Sequence, residues 1–484
     1  LHRSAFAGRR LQLQSIYMTQ RIGIIGGGIT GLAAAHRLIE LDTSADVTLL
    51  EASDRVGGVL RTERRDGFLI ESSADNFITN VPWGVDLCRR VGLSDQLIST
   101  IPGQRRAMVV CRGKLQYIPD GFMLMAPSQI GPILKTPILS PLGKARLLAE
   151  PLVESRTERS DESLASFCRR RLGRETFERL IQPLISGIYT ADPEKLSMMA
   201  TMPRFVEMER QHGSLAAAML TSKSRDGGDA ASSGARYGLF VTLRDGMQSL
   251  VEAIVAKLPE NTIHTDWPVD SIHRSGQQFD VRSAAGETGE TLSFDRLIVA
   301  TRAPKAAELL AGVDEPLAAD LAKIPYAGCS VVVTGYRREQ FAHHLEAFGV
   351  VAPAIEKRRV LAISFSSNKY AHRAPDDCVL VRVFIGGACQ PLLNDLPDEQ
   401  LKQITAEELG DLVGARGAPL FSEVKRWSGA MAQYHVGHPQ LVDKIEQRAA
   451  GIAGLELAGG AYRGVGVPNC IHSGEQAAQR IAAV

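Results

Sequence analysis

The run Gly26-Gly27-Gly28-Ile29-Thr30-Gly31 spells G-x-G-x-x-G, with an apolar pentapeptide before it (21–25, RIGII) and helical spacing after it through Leu32, Ala35, His36 and Ile39. Those residue types at that spacing can hold a pyrophosphate. Gly26 permits the tight turn, Gly28 lets backbone approach the phosphates, and Gly31 allows close helix–sheet packing. The helix N-terminus adds unpaired N–H groups and the positive end of its dipole. Glu51 ends the alternating stretch 46–51 (DVTLLE), and a carboxylate at that spacing accepts hydrogen bonds from ribose hydroxyls. The glycine pattern alone is common. Strand, helix and acid together predict a dinucleotide site. His435 and His438 are candidates for acid–base work, although a structural place beside the dinucleotide domain is the stronger expectation for both.

The elements that must position these residues follow from periodicity. Segments 21–25, 29–41 and 46–51 read as the opening β-α-β of a doubly wound sheet. In the middle, 84–98 and 143–181 look helical and rich in charge, whereas 115–142 is rich in Met, Leu, Ile and Pro. The small, polar stretch 221–236 reads as a loop. Strand signals return as a hairpin over 270–283 and a buried strand over 295–301, then as long strands at 329–337 and 378–387 that suit a separate, antiparallel-rich sheet. Segment 455–482 reads as strand, Gly-rich turn and helix, with Ser473 and Gly474 opening a run of helix formers. A second Gly-rich turn so far from the first implies a discontinuous cofactor domain built from both ends of the chain.

Bulk properties narrow the class. The 484 residues imply two or three domains, and 44% hydrophobic with 23% charged residues suits a folded globular chain. A net charge of +1 supplies no global field for nucleic acid. The seven cysteines (88, 111, 168, 329, 378, 389, 470) form no C-x-x-C, which fits free thiols in a reducing compartment and predicts no metal site. No apolar run is long enough to span a membrane. Residues 1–17 carry Arg3, Arg9 and Arg10 and no acid. The expectation is that Met18 is the true start, with a transit peptide as the alternative.

Residues 51–58 (EASDRVGG) resemble the extended signature of the glutathione-reductase-like flavoproteins, in particular their amine-oxidase-like branch, and so imply FAD. The resemblance sets Ala52 beside the ribose acid, Arg55 facing the diphosphate, and Gly57, Gly58 and Val59 under the isoalloxazine. The turn 459–467, with Val465, Gly466 and Val467, is similar to the same branch, where it brings backbone N–H groups to the flavin. Val269 matches a backbone contact to adenine, and Trp427 is placed at the cofactor.

Five stretches together resemble the oxygen-dependent protoporphyrinogen/coproporphyrinogen oxidases: 26–38, 54–63, 167–197, 432–442 and 462–478. The resemblance runs from about residue 20 to the end. It implies an α/β (α+β overall) chain: a discontinuous Rossmann-like FAD domain (18–90, 240–305, 425–484), a helical, membrane-facing domain (91–200), and an antiparallel-sheet substrate domain (201–239, 306–424). The implied reaction is a six-electron aromatisation of a porphyrinogen in haem biosynthesis, consuming O2 and releasing H2O2, with flavin N5 as hydride acceptor and no catalytic triad. Arg106, with Arg105 beside it, matches a carboxylate-binding arginine, Gly187 a small residue facing the macrocycle, and Phe365 or Phe384 an aromatic wall. One departure stands out. Where the family has a glycine after the acid at Glu71, this chain reads Ser72-Ser73-Ala74-Asp75-Asn76. Ser73, Ala74, Asp75 and Asn76 are expected at the flavin, and Asn76 also at the substrate. Segment 118–142 is a candidate for interfacial membrane contact or for ordinary core packing. The implied setting is cytoplasmic, peripheral on the inner face of the membrane, with product passing to the next haem-pathway enzyme. An amine oxidase or carotenoid desaturase, and a catalytically silent flavin-fold module, remain alternatives. Which porphyrinogen is used stays open.

Overall fold

The computed structural model describes residues 20–42, 44–158, 160–223, 239–283 and 289–483. Residues 1–17 and residues 224–236 of the expected loop lie outside them, and the loop's first three residues, 221–223, instead end helix Leu215–Lys223.

Five parallel strands form one sheet in the order Ile263–His264, Asp46–Leu50, Arg21–Ile25, Arg296–Val299 and Leu455–Leu457. Their centres are aliphatic because the sheet is covered on both faces: Ile24, Leu49 and Val299 are wholly buried. The order also carries out the discontinuity read from the sequence, since the last strand of the chain pairs two places from the first. Helices Ile29–Leu41 and Val467–Ala482 pack on each other. At their crossing Gly474 has no room for a side chain, as a Cβ there would stand 2.2 Å from the Thr30 carbonyl oxygen. The last helix begins at Val467, ahead of the run of helix formers that Ser473 and Gly474 open, and Pro468 occupies its first turn without needing an N–H. The hairpin over 270–283 appears as Val269–Ser275 and Gln278–Ser283, extended by Thr291–Phe294.

A second, seven-stranded sheet runs Phe421–Ala432, Tyr326–Arg337, Cys378–Gly386, Ala362–Phe365, Gly349–Val351, Ala107–Cys111 and Lys114–Tyr117. All its pairs are antiparallel except Gly349–Val351 with Ala107–Cys111. Alternation divides its faces. Val332, Val381, Val383 and Phe365 enter a core shared with Leu401, Ile404 and Leu409 of helix Asp398–Val413. Cys329, Val331, Ala362, Ser364, Arg382 and Phe384 line a cavity instead.

The region expected as helix over 84–98 is shorter than the pattern suggests. Helix Trp83–Arg90 stops before Gly92, which takes φ +84°, and Leu97–Ser99 is a strand. The 143–181 region is broken too. Pro141–Leu148 is separated from Leu164–Leu172, and Gly173 at φ +87° interrupts again before a π-helical turn, Phe177–Ile181, leads into Gln182–Tyr189. Within 118–142, Phe122, Met125, Ile133, Ile138 and Leu139 join the core of these helices, while Ile130 and Leu134 are more than half exposed. Among the described residues no helix is long and apolar enough to cross a membrane.

Candidate active site

A cavity of about 700 Å³ lies between the two sheets. One end is the Gly-rich turn. The glycines divide by what a side chain would meet. A Cβ on Gly26 (φ +106°) would stand 2.8 Å from the Ala300 carbonyl oxygen, and one on Gly31 would stand 2.0 Å from that of Gly26. A Cβ on Gly28 would meet nothing within 4 Å. Gly26 and Gly31 thus serve packing, whereas the space above Gly28 is cavity, left open for a ligand's close approach. Gly28 caps helix Ile29–Leu41 and Gly466 caps helix Val467–Ala482, each with no side-chain cap and no acid in the first turn. Ile29, Thr30, Val465 and Val467 line the cavity. Two helix N-termini therefore present free N–H groups to it, which suits an anionic dinucleotide.

Glu51 has a second task that the sequence did not reveal. Its Oε2 accepts the Gly27 N–H at 2.7 Å, and its Oε1 accepts the Ser53 N–H and hydroxyl at 2.9 and 2.7 Å. The acid therefore holds the Gly-rich turn in shape. Arg55 donates to the carbonyls of Val56, Gly58 and Leu60 at 3.1, 2.7 and 3.3 Å, so its guanidinium ties the Gly57-Gly58 turn. Gly57 N–H in turn reaches the Gly27 carbonyl at 2.7 Å, and Gly57, Gly58 and Val59 line the cavity. Glu51, Ala52, Arg55 and Val269 stand off the cavity wall. Val269 is buried, near Trp267, whose N–H donates to the Glu51 carbonyl at 2.9 Å.

Ser73, Ala74, Asp75 and Asn76 also line the cavity. Loss of the family glycine costs nothing here, because none of residues 72–76 takes a positive φ. The loop is fastened from the second sheet. Trp427 Nε1 donates to the Ser72 carbonyl at 2.8 Å, and Arg382 donates to that of Ser73. Lys369 Nζ and Arg382 Nη1 meet Asp75 at 2.9 and 3.2 Å. Burial opposes ionisation of Asp75, but these two cations outweigh it and hold the carboxyl far below its ordinary range. Asn76 Nδ2 donates to Asp75 Oδ1 at 2.6 Å.

The C-terminal turn hangs on Tyr434. Its hydroxyl donates to the Gly460 carbonyl and accepts the Gly464 N–H, both at 2.8 Å. His438 stacks on the Tyr434 ring at 4.0 Å, with Nε2 3.0 Å from the Tyr462 carbonyl oxygen. Burial lowers its pKa. Neither His435 nor His438 is on the cavity wall.

The far end of the cavity is apolar, walled by Leu184, Ile188, Val331, Phe348, Val351 and Phe384. Gly187 faces this space; a Cβ there would meet only Ala362 and Val351, at 3.9 Å. Of the two candidate aromatics, Phe384 is on the wall and Phe365 is in the core. Arg106 is exposed, with its guanidinium 3.7 Å over the Tyr117 ring, next to Ala107 of the wall rather than on it. Arg105 is occupied by the Thr100 hydroxyl and carbonyl. Among the described residues, the cations that do line the cavity are Lys369, Arg382 and Arg302, and the one acid on its wall is Asp75. Sequence reasoning missed Lys369, Arg382 and Tyr434. An arginine inside the apolar run CVLVRVFIG was a usable signal for Arg382. Lys369 had none. Among the described residues, no group of three His, Cys, Asp or Glu side chains could hold a metal ion.

The family described as flavin containing amine oxidoreductase matches residues 29–482. The chain is similar to coproporphyrinogen III oxidase of Bacillus subtilis (strain 168), 32% identical, with 95% of this chain and 97% of that one covered. It is also similar to the mitochondrial protoporphyrinogen oxidase of Nicotiana tabacum, 27% identical over 96% and 94% of the two chains. A crystal structure named provisionally as a protoporphyrinogen oxidase of Exiguobacterium sp. 255-15 superposes with a TM-score of 0.85 at 28% identity, covering 96% of this chain and 99% of that one.

Proposed function

The chain belongs to the flavin-containing amine oxidoreductase family, and from that premise we propose that it oxidises a porphyrinogen to the porphyrin in haem biosynthesis. FAD is its cofactor. Gly28 and the two helix N-termini would receive the phosphates, Glu51 the ribose, and Gly57-Gly58, Ala74 and the 459–467 turn the ring system. When bound, FAD supplies two-electron hydride chemistry. The chain's own contribution is to bind, orient and exclude water. Three successive two-electron oxidations remove six hydrogens, and three O2 become three H2O2.

The observation that carries this reading is the chemistry of the cavity wall: mostly apolar, with Lys369, Arg382 and Arg302 against the single acid Asp75. A flat apolar ring bearing carboxylates fits both features. A protonated amine would face those cations, which disfavours an amine oxidase. A carotenoid would bring no anion to them, which disfavours a desaturase. The names of the relatives point the same way. Arg106 remains our candidate for an outer propionate contact at the rim, where its planar fork suits a carboxylate. Ile130, Leu134, Leu142 and Leu152, each more than half exposed, support a peripheral membrane contact by the helical part.

The test is oxidation of coproporphyrinogen III and protoporphyrinogen IX by the FAD-loaded protein, followed by porphyrin fluorescence and peroxide release. An FAD-loaded protein that oxidises neither refutes the proposal. Arg106→Ala is expected to raise KM several-fold with flavin retained; loss of flavin with KM unchanged would remove Arg106 from the substrate site.

A further inference from the structure

Around Asp75 the charges do not balance. Asp75 faces Lys369 and Arg382, whose side chains are 15% and 3% exposed. Arg373, 2% exposed, also acts on Asp75. It donates to the carbonyls of Arg244 and Leu243 and to the Thr242 hydroxyl, at 2.8–3.0 Å. Arg373 and Arg382 also act on Glu71, which burial pushes up to about 7. Three buried cations against Asp75 and Glu71 leave at least one positive charge that these two carboxylates do not balance.

Donor capacity is left over as well. Asp75 takes one of the three donors of Lys369 Nζ. Arg382 Nε is buried and has no partner. Ser364 sits directly across the strand pair from Arg382, and its hydroxyl is also buried without a partner. All three side chains line the cavity. Buried charge and buried donors left in this state are costly unless a ligand completes them.

We propose that Lys369, Arg382 and Ser364 form a buried carboxylate subsite that takes an inward-pointing propionate of the macrocycle, so that the cavity favours the tetracarboxylate coproporphyrinogen over the dicarboxylate protoporphyrinogen. The proposal rests on the porphyrinogen reading above. Arg106 lies outside the wall, and Lys369 and Arg382 lie within it. A flat ring whose carboxylates all gather at the open rim would bring no anion to the inner cations. A ring carrying carboxylates on opposite sides reaches rim and interior together. One bound carboxylate then cancels the excess charge.

The experiment uses the FAD-loaded protein and two readouts. One is affinity for coproporphyrin III and protoporphyrin IX, by fluorescence titration; the other is steady-state oxidation of the two porphyrinogens. Lys369→Met is expected to weaken coproporphyrin III binding at least about tenfold, in keeping with a lost charge-assisted hydrogen bond. Its KM for coproporphyrinogen rises more than its kcat falls, while protoporphyrin binding changes little. Lys369→Arg restores most of the affinity. Asp75→Asn, which removes the internal competitor, binds coproporphyrin III as tightly as the parent or more so. Equal weakening of both porphyrins in Lys369→Met would overturn the subsite. So would Asp75→Asn and Lys369→Met losing affinity alike, because the cluster would then only fasten the 72–76 loop. A parent protein that binds coproporphyrin III with this Lys369 dependence but oxidises no porphyrinogen would sink the proposed function and leave the subsite standing.

Discussion

Tyr434 shows what one hydroxyl can hold. It bridges Gly460 and Gly464 across the C-terminal turn beside the cavity. Tyr434→Phe keeps the ring stacked on His438 and leaves the Gly464 N–H without its acceptor. We expect a loss of about 1–3 kcal/mol, seen as a lower melting temperature and faster flavin release on dialysis. Flavin retention equal to the parent's would mean that the turn is held by other contacts. Glu71 makes a prediction in pH. Desolvation raises its carboxyl from 4.5 to about 7, against the Met247 N–H and Thr62 hydroxyl it accepts. Between those values the folded chain keeps a proton that the unfolded chain releases. Its contribution is therefore full below about pH 4.5 and is lost as pH rises through about 7, at a cost of roughly 3 kcal/mol above it. Glu71→Gln should flatten the dependence of the urea midpoint on pH between about 5 and 8 and gain on the parent at the upper end. Parallel profiles would count against the shift.

At the scale of elements, the junction of helices Ile29–Leu41 and Val467–Ala482 is the tightest constraint near the site. Gly474→Val would drive a branched side chain into the Thr30 carbonyl, 2.2 Å from the Cβ position. The helices must then separate, at about 1–3 kcal/mol or more, and both N-termini that frame the cavity move. Reduced flavin content together with a lower melting temperature is the expected result. A variant with normal flavin content would place the cofactor's phosphates away from these helix ends. Strands were legible wherever a run was both apolar and short, as in 21–25 and 296–299. The helical breaks were not. Glycines at 92 and 173 adopt positive φ, a choice that depends on where the chain must go next.

For the whole molecule, the parallel sheet is made by residues more than four hundred positions apart, from Arg21–Ile25 to Leu455–Leu457. A chain ending at residue 454 lacks the last strand and helix Val467–Ala482. It should show no cooperative unfolding of the cofactor part and bind no FAD; a folded, yellow truncation would contradict this. The sequence by itself determined the Gly-rich turn between strand and helix and the return of the C-terminus to the same sheet, because these rest on local backbone chemistry at fixed spacing. Its resemblance to porphyrinogen oxidases carried the expected substrate class. Only the tertiary structure decided which cations reach the cavity. Arg106 had the more suggestive sequence context and lies outside the wall, while Lys369 and Arg382 are brought to Asp75 from 294 and 307 residues away along the chain. Charge balance inside a cavity is a sum over elements that meet only on folding, so no window of sequence contains it.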